Sequence, residues 1–590
     1  MKFFRSFLAS FLAVIAAILI GIPLIFIFVG GLIASFNKTP EIKVPNHAVL
    51  EMKLNGPIVE NASTEAEPFK FDELSTFGIS TNKLGLYQIV ASIENAAKDD
   101  RVDGIYLHLG PGVQTGWANL KSIRDALIDF QNSGKFIYAY SEVFTENTYY
   151  LASVADSVFM APEGIMEFNG LVASPTFYAG LFEKIDLQPK IFKVGTYKSA
   201  VEPYIRKDMS EANKEQTSIY LGDIWNTFLE EVSTSRNMSR SDLDQKASQF
   251  IFGDGKSAAR QGLIDRTAHE HEILSLLAQA SDQGDAKPQT LSFAKYMRVP
   301  ASKERLATNR IAVIFAEGAI QSGKSTDGVI GSQTVVEQLR KAREDDNVKA
   351  VVFRINSPGG SALASDVIAE EVRLTSEEKP IVASFGNVAA SGGYYIAAKC
   401  DHIFAQPNTI TGSIGIFAIL YDAKAAINNN LGITFDAVET NESANFGNPF
   451  FPMTPAEEAL LQRYVERGYG SFIETVRSGR EFADSAAVDK VGQGRVWSGL
   501  AAIDINLVDE MGDLSDAIAY AAEQAGLGDD YMMRLLPKPK NVFEELMETM
   551  TETTIRGNVP MYDEMQELEK LKQRIPGSGM YMLMPEMEIR

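Results

Sequence analysis

Cysteine and histidine are both scarce in this sequence, and each scarcity excludes a class of chemistry. The 590 residues include one cysteine, Cys400, so no disulfide can form within the chain. Five histidines are present, and none lies in a run that resembles a catalytic loop. A serine nucleophile would therefore need another base. His269 and His271, spaced i, i+2, would face different sides of a helix, so we expect no metal at this pair. We expect no cofactor either.

Positive charge is in short supply as well. Lys and Arg total 55 against 77 Asp and Glu, which is a formal net charge of −22. Binding of nucleic acid requires a basic face, so we expect no nucleic-acid partner. The hydrophobic fraction of 45% is that of a globular protein. A chain of 590 residues exceeds one ordinary core, which predicts two or more domains.

Charged residues are absent from the segment between Phe7 and Phe36. This run exceeds the about 7–15 apolar residues of a signal-peptide core and the about 20 of a membrane-spanning helix. It predicts one transmembrane helix that stays attached, with residues 1–45 as cytoplasmic tip and anchor. Lys2 and Arg5 precede the run, which places the body in the periplasm, outside the cytoplasmic (inner) membrane. A long cleaved signal sequence stays open as the alternative.

Two halves of the sequence resemble each other. The matching pairs are 97–104 with 343–350, 149–152 with 394–397, and 158–162 with 403–407. Strand-like runs alternate with helical segments in both halves, which predicts α/β units with largely parallel pairing. We place the domains at 46–280 and 305–540, with 281–304 as a linker.

Residues 541–590 form a Met-rich C-terminal extension. Met-rich surfaces adapt to varied partners. We favour an extension that frays or packs against another subunit. The alternative is that residues 581–584 rest in an active-site groove as a mimic of substrate.

Ser391 is the candidate nucleophile. It lies among small residues at 386–395, which suits a tight strand-to-helix turn that substrate backbone approaches closely. Lys198 is the candidate base, because a Ser-Lys dyad is a known variant of serine-based acyl transfer. It must be desolvated to act, since a free lysine has a pKa of about 10.4. In the repeat Ser391 aligns with Glu146, so the serine occurs only in the second half.

Three further residues fit the same chemistry. Gly359 lies in a Pro-Gly-Gly turn between a strand-like run and a helix, where uncovered backbone N–H groups can hold an oxyanion. The N–H of Gly392, next to the nucleophile, is a second candidate donor. The hydroxyl of Ser413 can orient a neutral lysine amine. A plain turn at Gly359 and a turn-capping role for Ser413 stay open here.

Four motifs, in this order on a duplicated chain, resemble the signal peptide peptidase family SppA in its long, two-domain bacterial form. They are Gly-Thr-Tyr-Lys-Ser-Ala-Val-Glu-Pro at 195–203, Asn-Ser-Pro-Gly-Gly at 356–360, Ala-Ala-Ser-Gly-Gly-Tyr at 389–394 and Thr-Gly-Ser-Ile-Gly at 411–415.

The resemblance implies a fold and a set of roles. Each half should form a ClpP/crotonase-like spiral of β-α units, with Ser391 as nucleophile and Lys198 as general base meeting between the halves. Ser413 would orient Lys198, and Gly359 and Gly392 would line the oxyanion hole. The family resemblance further implies a homotetramer on the periplasmic face that degrades cleaved signal peptides and other apolar peptides without ATP or metal.

Three alternatives share parts of this pattern. A crotonase-type acyl-CoA enzyme would use the same fold and oxyanion logic. A ClpP-like protease would need a Ser-His-Asp triad, for which His402 is the nearest candidate in sequence. A non-catalytic membrane scaffold would keep the fold for assembly alone.

Overall fold

The structure is a computed structural model that describes residues 42–62, 83–249, 251–284, 287–299, 307–538, 579–584 and 589. The predicted transmembrane run lies outside the described residues. Within the described ranges, no helix combines the length and the apolar character needed to cross a membrane.

Most strands of the first half are parallel and form one sheet, with helices between them along the chain. The strands are β1 (Ala48–Leu54), β2 (Ile58–Val59), β3 (Leu84–Gly85), β4 (Val102–Leu109), β5 (Phe136–Phe144), β6 (Ser157–Phe168), β7 (Gln188–Val194), β8 (Ile251–Gly253), β9 (Arg266–Thr267) and β10 (Thr290–Ser292). The helices are α1 (Leu86–Ala97), α2 (Trp117–Asn132), α3 (Glu146–Ala152), α4 (Ala179–Lys184), α5 (Glu202–Ile205), α6 (Glu211–Arg236), α7 (Arg240–Ser248), α8 (Gly255–Arg260), α9 (Glu270–Ala280) and α10 (Phe293–Tyr296). The sheet order is β10-β1-β4-β5-β6-β8, and β9 pairs with β6.

The second half repeats this plan. Its strands are β11 (Arg310–Glu317), β12 (Ala319–Gln321), β13 (Val329–Gly331), β14 (Val348–Ser357), β15 (Gly359–Ser361), β16 (Ile381–Ala390), β17 (His402–Ala405), β18 (Ile410–Gly412), β19 (Ile416–Asp422), β20 (Val496–Ser498), β21 (Glu510–Met511), β22 (Met532–Leu536) and β23 (Gly579–Leu583). Its helices are α11 (Ser332–Glu344), α12 (Ala362–Ser376), α13 (Gly392–Ala397), α14 (Lys424–Leu431), α15 (Pro455–Gly479), α16 (Ser485–Val491), α17 (Gly499–Asp504) and α18 (Leu514–Gln524). The main sheet has the order β20-β18-β16-β14-β11-β22.

The predicted repeat corresponds to equivalent elements in the two sheets. Val102 begins β4 and pairs with Ala48, while Val348 begins β14 and pairs with Arg310; a register shift follows at both places. β14 is buried at nearly every position because helices cover both faces of a parallel sheet, which explains its apolar run from Ala350 to Phe353. The prediction of tandem α/β units is confirmed.

The predicted linker at 281–304 needs a correction. Part of it, β10, pairs in parallel with β1 through Val49 and Thr290, and α10 follows. These residues therefore belong to the first sheet. A strand of three residues is too short to show a hydrophobic period, which is why the sequence pattern did not reveal it.

A third sheet joins the two halves, in the order β13-β12-β15-β23-β19-β7. β7 comes from the first half and pairs antiparallel with β19 along seven residues, from Ile416 with Val194 to Asp422 with Gln188. β23 comes from the C-terminal extension. For its residues the favoured interpretation of a frayed end is wrong, since they form a strand inside this sheet.

A buried ion pair also connects the halves. Arg354 on β14 and Glu60 each expose 1% of their side chains, and Arg354 Nε lies 2.8 Å from Glu60 Oε2. The same guanidinium donates to the Ser384 hydroxyl at 2.9 Å, the Phe385 carbonyl at 2.6 Å and the Asn119 side-chain oxygen at 3.2 Å. Asn119 lies on α2 of the first half, so these contacts hold the halves in one relative position.

Candidate active site

Ser391 lies at the junction of β16 and α13, fully buried. Its backbone has φ 56° and ψ −117°, a positive φ that is uncommon for a residue with a side chain. Its N–H donates to the Gly412 carbonyl at 2.8 Å, which holds the turn in place. Strained backbone of this kind concentrates at active sites, where the surroundings enforce it.

Lys198 reaches Ser391 from the other half. It follows β7 and precedes the 3₁₀ turn Ser199–Val201, and it is fully buried. Its Nζ lies 2.8 Å from Ser391 Oγ. Nζ also donates to the Ser413 carbonyl oxygen at 3.1 Å and to the Ser413 hydroxyl at 3.1 Å. Ser391 and Ser413, both predicted from the sequence, therefore contact the amine nitrogen of Lys198, the third predicted residue.

Burial controls the charge of this lysine. Desolvation lowers the pKa of Lys198 well below its ordinary value of 10.5, and it is the sole cause of the shift. A neutral amine has two N–H donors and one lone pair. The two oxygens of Ser413 accept both N–H groups, which leaves the lone pair for the hydroxyl proton of Ser391. This arrangement suits proton abstraction from Ser391.

Gly359 and Gly392 approach each other beside Ser391. A Cβ placed on Gly359, where φ is 100°, would lie 2.7 Å from the Gly392 nitrogen. A side chain at this position would therefore block the backbone of Gly392. Gly392 opens α13, so its N–H has no acceptor within that helix. The N–H of Gly359 donates to Ser357 Oγ at 3.1 Å, so its role as an oxyanion donor stays a prediction.

The sequence reasoning missed the segment that holds Lys198 in position. A Cβ on Gly494, where φ is 77°, would lie 2.7 Å from three atoms of Lys198. The residues on either side of Gly494 accept hydrogen bonds from two residues next to the lysine amine or in contact with it: Tyr197 N–H donates to the Gln493 carbonyl at 3.0 Å, and Ser413 N–H donates to the Arg495 carbonyl at 2.7 Å. The signal was the Gly-Gln-Gly run at 492–494, between a helix and a strand.

Gln216 is a second residue that the sequence did not reveal. It lies buried on α6, and its side-chain nitrogen donates to the Tyr197 carbonyl at 3.2 Å and to Ser199 Oγ at 2.9 Å. Its side-chain oxygen accepts from the Val496 N–H at 3.1 Å. One side chain thus ties both neighbours of Lys198 to β20 of the second half. No local pattern marks such a bridge, because its partners are distant in sequence.

The equivalent position of the first half carries a carboxylate. Glu146 aligns with Ser391, and its Oε1 accepts the N–H groups of Asn169 at 2.6 Å and Gly170 at 3.0 Å. Burial raises the pKa of Glu146, and these N–H donors partly offset that rise. The side chain is thus occupied by local backbone, and this position offers no nucleophile.

Histidine plays no part in the contacts of Ser391. His402 lies on β17, where its ring stacks on Tyr520 with centroids 4.2 Å apart and its Nε2 is 3.4 Å from Glu510 Oε2. These contacts occupy the side chain in a structural cluster. The triad alternative therefore has no support from His402.

Comparisons with known proteins agree with this geometry. A model described as peptidase family S49 matches residues 129–284 and 373–528, and one described as Clp protease matches 302–411. Protease 4 of Salmonella typhi is 35% identical over 524 residues, which cover 87% of this chain and 83% of that protein. Protease 4 of Haemophilus influenzae is 35% identical over 75% of this chain and 73% of its own. The chloroplastic serine protease SPPA of Arabidopsis thaliana is 32% identical over 84% and 74%.

Proposed function

The chain belongs to peptidase family S49 and is an SppA-like serine protease, and on that premise we propose that Ser391 and Lys198 are its catalytic dyad. The observation that carries this proposal is the 2.8 Å separation of Lys198 Nζ and Ser391 Oγ, both fully buried. Family membership also decides against the non-catalytic scaffold and the acyl-CoA enzyme.

The proposed reaction follows from the contacts of the lysine. Neutral Lys198 takes the proton of Ser391 as Oγ attacks the carbonyl carbon of the scissile peptide bond. Ser413 holds the amine in the orientation that this transfer requires. Lys198 then gives the proton to the nitrogen of the leaving peptide, and water hydrolyses the ester of Ser391.

The oxyanion is proposed to form between Gly392 and Gly359. The N–H of Gly392 is adjacent to the nucleophile and serves as the first donor. The N–H of Gly359 serves as the second only after it leaves Ser357 Oγ, its acceptor in this structure. Both N–H groups therefore donate to the oxyanion only when the substrate oxygen attracts the Gly359 N–H more strongly than Ser357 Oγ does.

We further propose that the protease acts at the outer face of the cytoplasmic membrane. The support is the uncharged run from Phe7 to Phe36 with Lys2 and Arg5 before it. The proposed substrates are cleaved signal peptides and other apolar peptides, and the proposed assembly is a homotetramer. Fractionation of cells and the mass of the purified protein in detergent test location and assembly.

The dyad is tested with the full chain in detergent and quenched apolar peptides. Ser391→Ala and Lys198→Met should each lower kcat/KM by at least about 10²–10³. Lys190→Met is the matched control, because Lys190 lies on the same strand, β7, with 38% of its side chain exposed in a surface ion pair. Full activity in either dyad variant would remove the assignment.

A further inference from the structure

Three side chains that can bind a metal ion lie together in the first half, outside the proposed active site. They are Glu51 on β1, His108 on β4 and Glu270, the first residue of α9. One ligand atom of each lies within 4.8 Å of the other two, and His108 Nδ1 is 3.6 Å from Glu270 Oε1. Two ligand atoms of a tetrahedral Zn²⁺ lie about 3.3 Å apart when each is about 2.0–2.1 Å from the metal. Small rotations of these side chains would complete that geometry.

The sheet holds two of the three ligands in place. Glu51 lies opposite Tyr106 in the parallel pairing of β1 with β4. Side chains alternate between the faces of a strand, so Glu51, Tyr106 and His108 share one face of the sheet. Ile273 and Leu277 of α9 pack against Tyr106 on that same face. The packing of α9 thus brings Glu270 to the other two ligands.

Two buried polar atoms at this cluster have no hydrogen-bond partner among the residues that the structure describes. They are Nδ1 of His108 and the hydroxyl of Tyr106, a fully buried residue. Burial lowers the pKa of His108, so its ring is neutral at pH 7, the form that binds metal ions. Burial and the nearby carboxylates of Glu270 and Glu51 raise the pKa of Tyr106, so its phenol keeps the proton. The cluster therefore offers a lone pair to a cation and a donor to a carboxylate or water that holds the cation.

A cation already lies at one of the carboxylates. Lys53 Nζ is 2.8 Å from Glu51 Oε1, and the lysine side chain is 60% exposed. Exposed ion pairs of this kind are weak, and the long lysine side chain can turn into the solvent. A divalent ion can therefore take its place.

The second half carries none of the three ligands at the equivalent positions of the repeat. Those positions are Val313, Arg354 and Leu514. Val313 and Leu514 belong to an apolar cluster, and Arg354 forms the buried ion pair between the halves. The three ligands are therefore not required by the fold that the two halves share.

We propose that Glu51, His108 and Glu270 bind one Zn²⁺ ion, which fastens the start of α9 to β1 and β4. One imidazole and two carboxylates suit zinc better than calcium or magnesium, which favour oxygen ligands alone. Water takes the fourth position of the tetrahedron. The ion takes no part in the reaction proposed for Ser391, so this site holds or fails independently of the proposed function.

Equilibrium dialysis of the full chain in detergent tests the site, with Zn²⁺ added after a chelator has been applied and removed. We expect one tightly bound Zn²⁺ per chain, which excess Ca²⁺ does not displace. His108→Gln and Glu270→Gln should each weaken binding at least about tenfold, since loss of even an outer-shell partner costs about 10–100-fold. Glu270 is 49% exposed, so its replacement leaves the packing of the core intact.

The matched control is His402→Gln. His402 Nε2 lies 3.4 Å from Glu510 Oε2, but no third ligand joins this pair in the part of the chain that the structure describes. His271→Gln is the second control, because His271 is exposed on α9 next to Glu270. Both controls should bind Zn²⁺ as the parent does. Equal losses in His271→Gln and His108→Gln would place the ion at exposed histidines and overturn the proposal.

Thermal unfolding gives an independent readout. An ion that binds only the folded chain raises its unfolding midpoint. Zn²⁺ should therefore raise the midpoint of the parent and of both controls, and should leave that of Glu270→Gln nearly unchanged. A parent that binds no Zn²⁺ tightly, or a Glu270→Gln variant that binds and responds as the parent does, would overturn the proposal.

Discussion

Lys198 Nζ lies 2.8 Å from Ser391 Oγ although 193 residues separate the two along the chain. They belong to different halves, and the antiparallel pairing of β7 with β19 brings the lysine to the serine. Ile416 opposite Val194 sets the register of that pairing close to both residues. The proposed dyad therefore depends on how the two halves fit together.

The first prediction concerns pH and rate. The neutral form of Lys198 is the proposed base, and burial holds the pKa of its amine well below 10.5. We expect kcat/KM to rise with pH through an inflection well below that value. A profile of kcat/KM for the full chain, on a peptide without titratable groups, measures it. An inflection near 10.5 would mean that the lysine is solvated during catalysis.

The second prediction concerns pH and stability. Because the pKa of Lys198 is lower in the folded than in the unfolded state, the unfolded chain binds the extra proton between the two values. The parent should therefore gain stability as pH rises through this window, and the cost of burying the charge is complete below it. Lys198→Met buries no amine, so it should be more stable than the parent below this window. The difference in free energy of unfolding between the two proteins should then shrink as pH rises through the window. Urea unfolding of both proteins at about pH 6 and about pH 9 measures the difference.

The third prediction concerns Gly494. Alanine here would meet Lys198 at 2.7 Å and would adopt an unfavourable φ of 77°. We expect Gly494→Ala to lower kcat strongly and to cost about 1–3 kcal/mol of stability. Gly470→Ala is the control, because nothing lies within 4 Å of a Cβ at that helical position. It should keep full activity and gain up to about 1 kcal/mol. Similar kcat values for the two variants would remove the positioning role of Gly494.

The fourth prediction concerns the buried ion pair between the halves. Arg354→Met leaves Glu60 buried without its partner, which should cost about 3–5 kcal/mol in the free energy of unfolding. Activity should fall with it, since the dyad spans the same interface. Arg240→Met removes an ion pair whose arginine is 49% exposed, and should cost about 0–1 kcal/mol. Equal losses in denaturant midpoints would contradict the role assigned to Arg354.

Short segments of the sequence were enough to predict the α/β units and the candidate nucleophile. The alternation of strand-like and helical runs predicted the α/β units, because the spacing of apolar residues within a short segment indicates whether that segment forms a strand or a helix. The small residues around Ser391 predicted a candidate nucleophile, because small neighbours suit the tight turn with positive φ that the structure has at this serine. Lys198 was marked by the motif at 195–203 and its resemblance to a family, because a single lysine carries no local sign of its surroundings.

Tertiary structure decided what depends on distant partners. The pKa of Lys198 is lowered by burial that both halves contribute, and Gly494 and Gln216 act on it from far along the chain. β23 pairs with both β15 and β19, whose edges only the folded chain brings to the spacing of one strand. Desolvation and backbone pairing across the interface arise only where segments distant in sequence come into contact, so no short segment of the sequence predicts them.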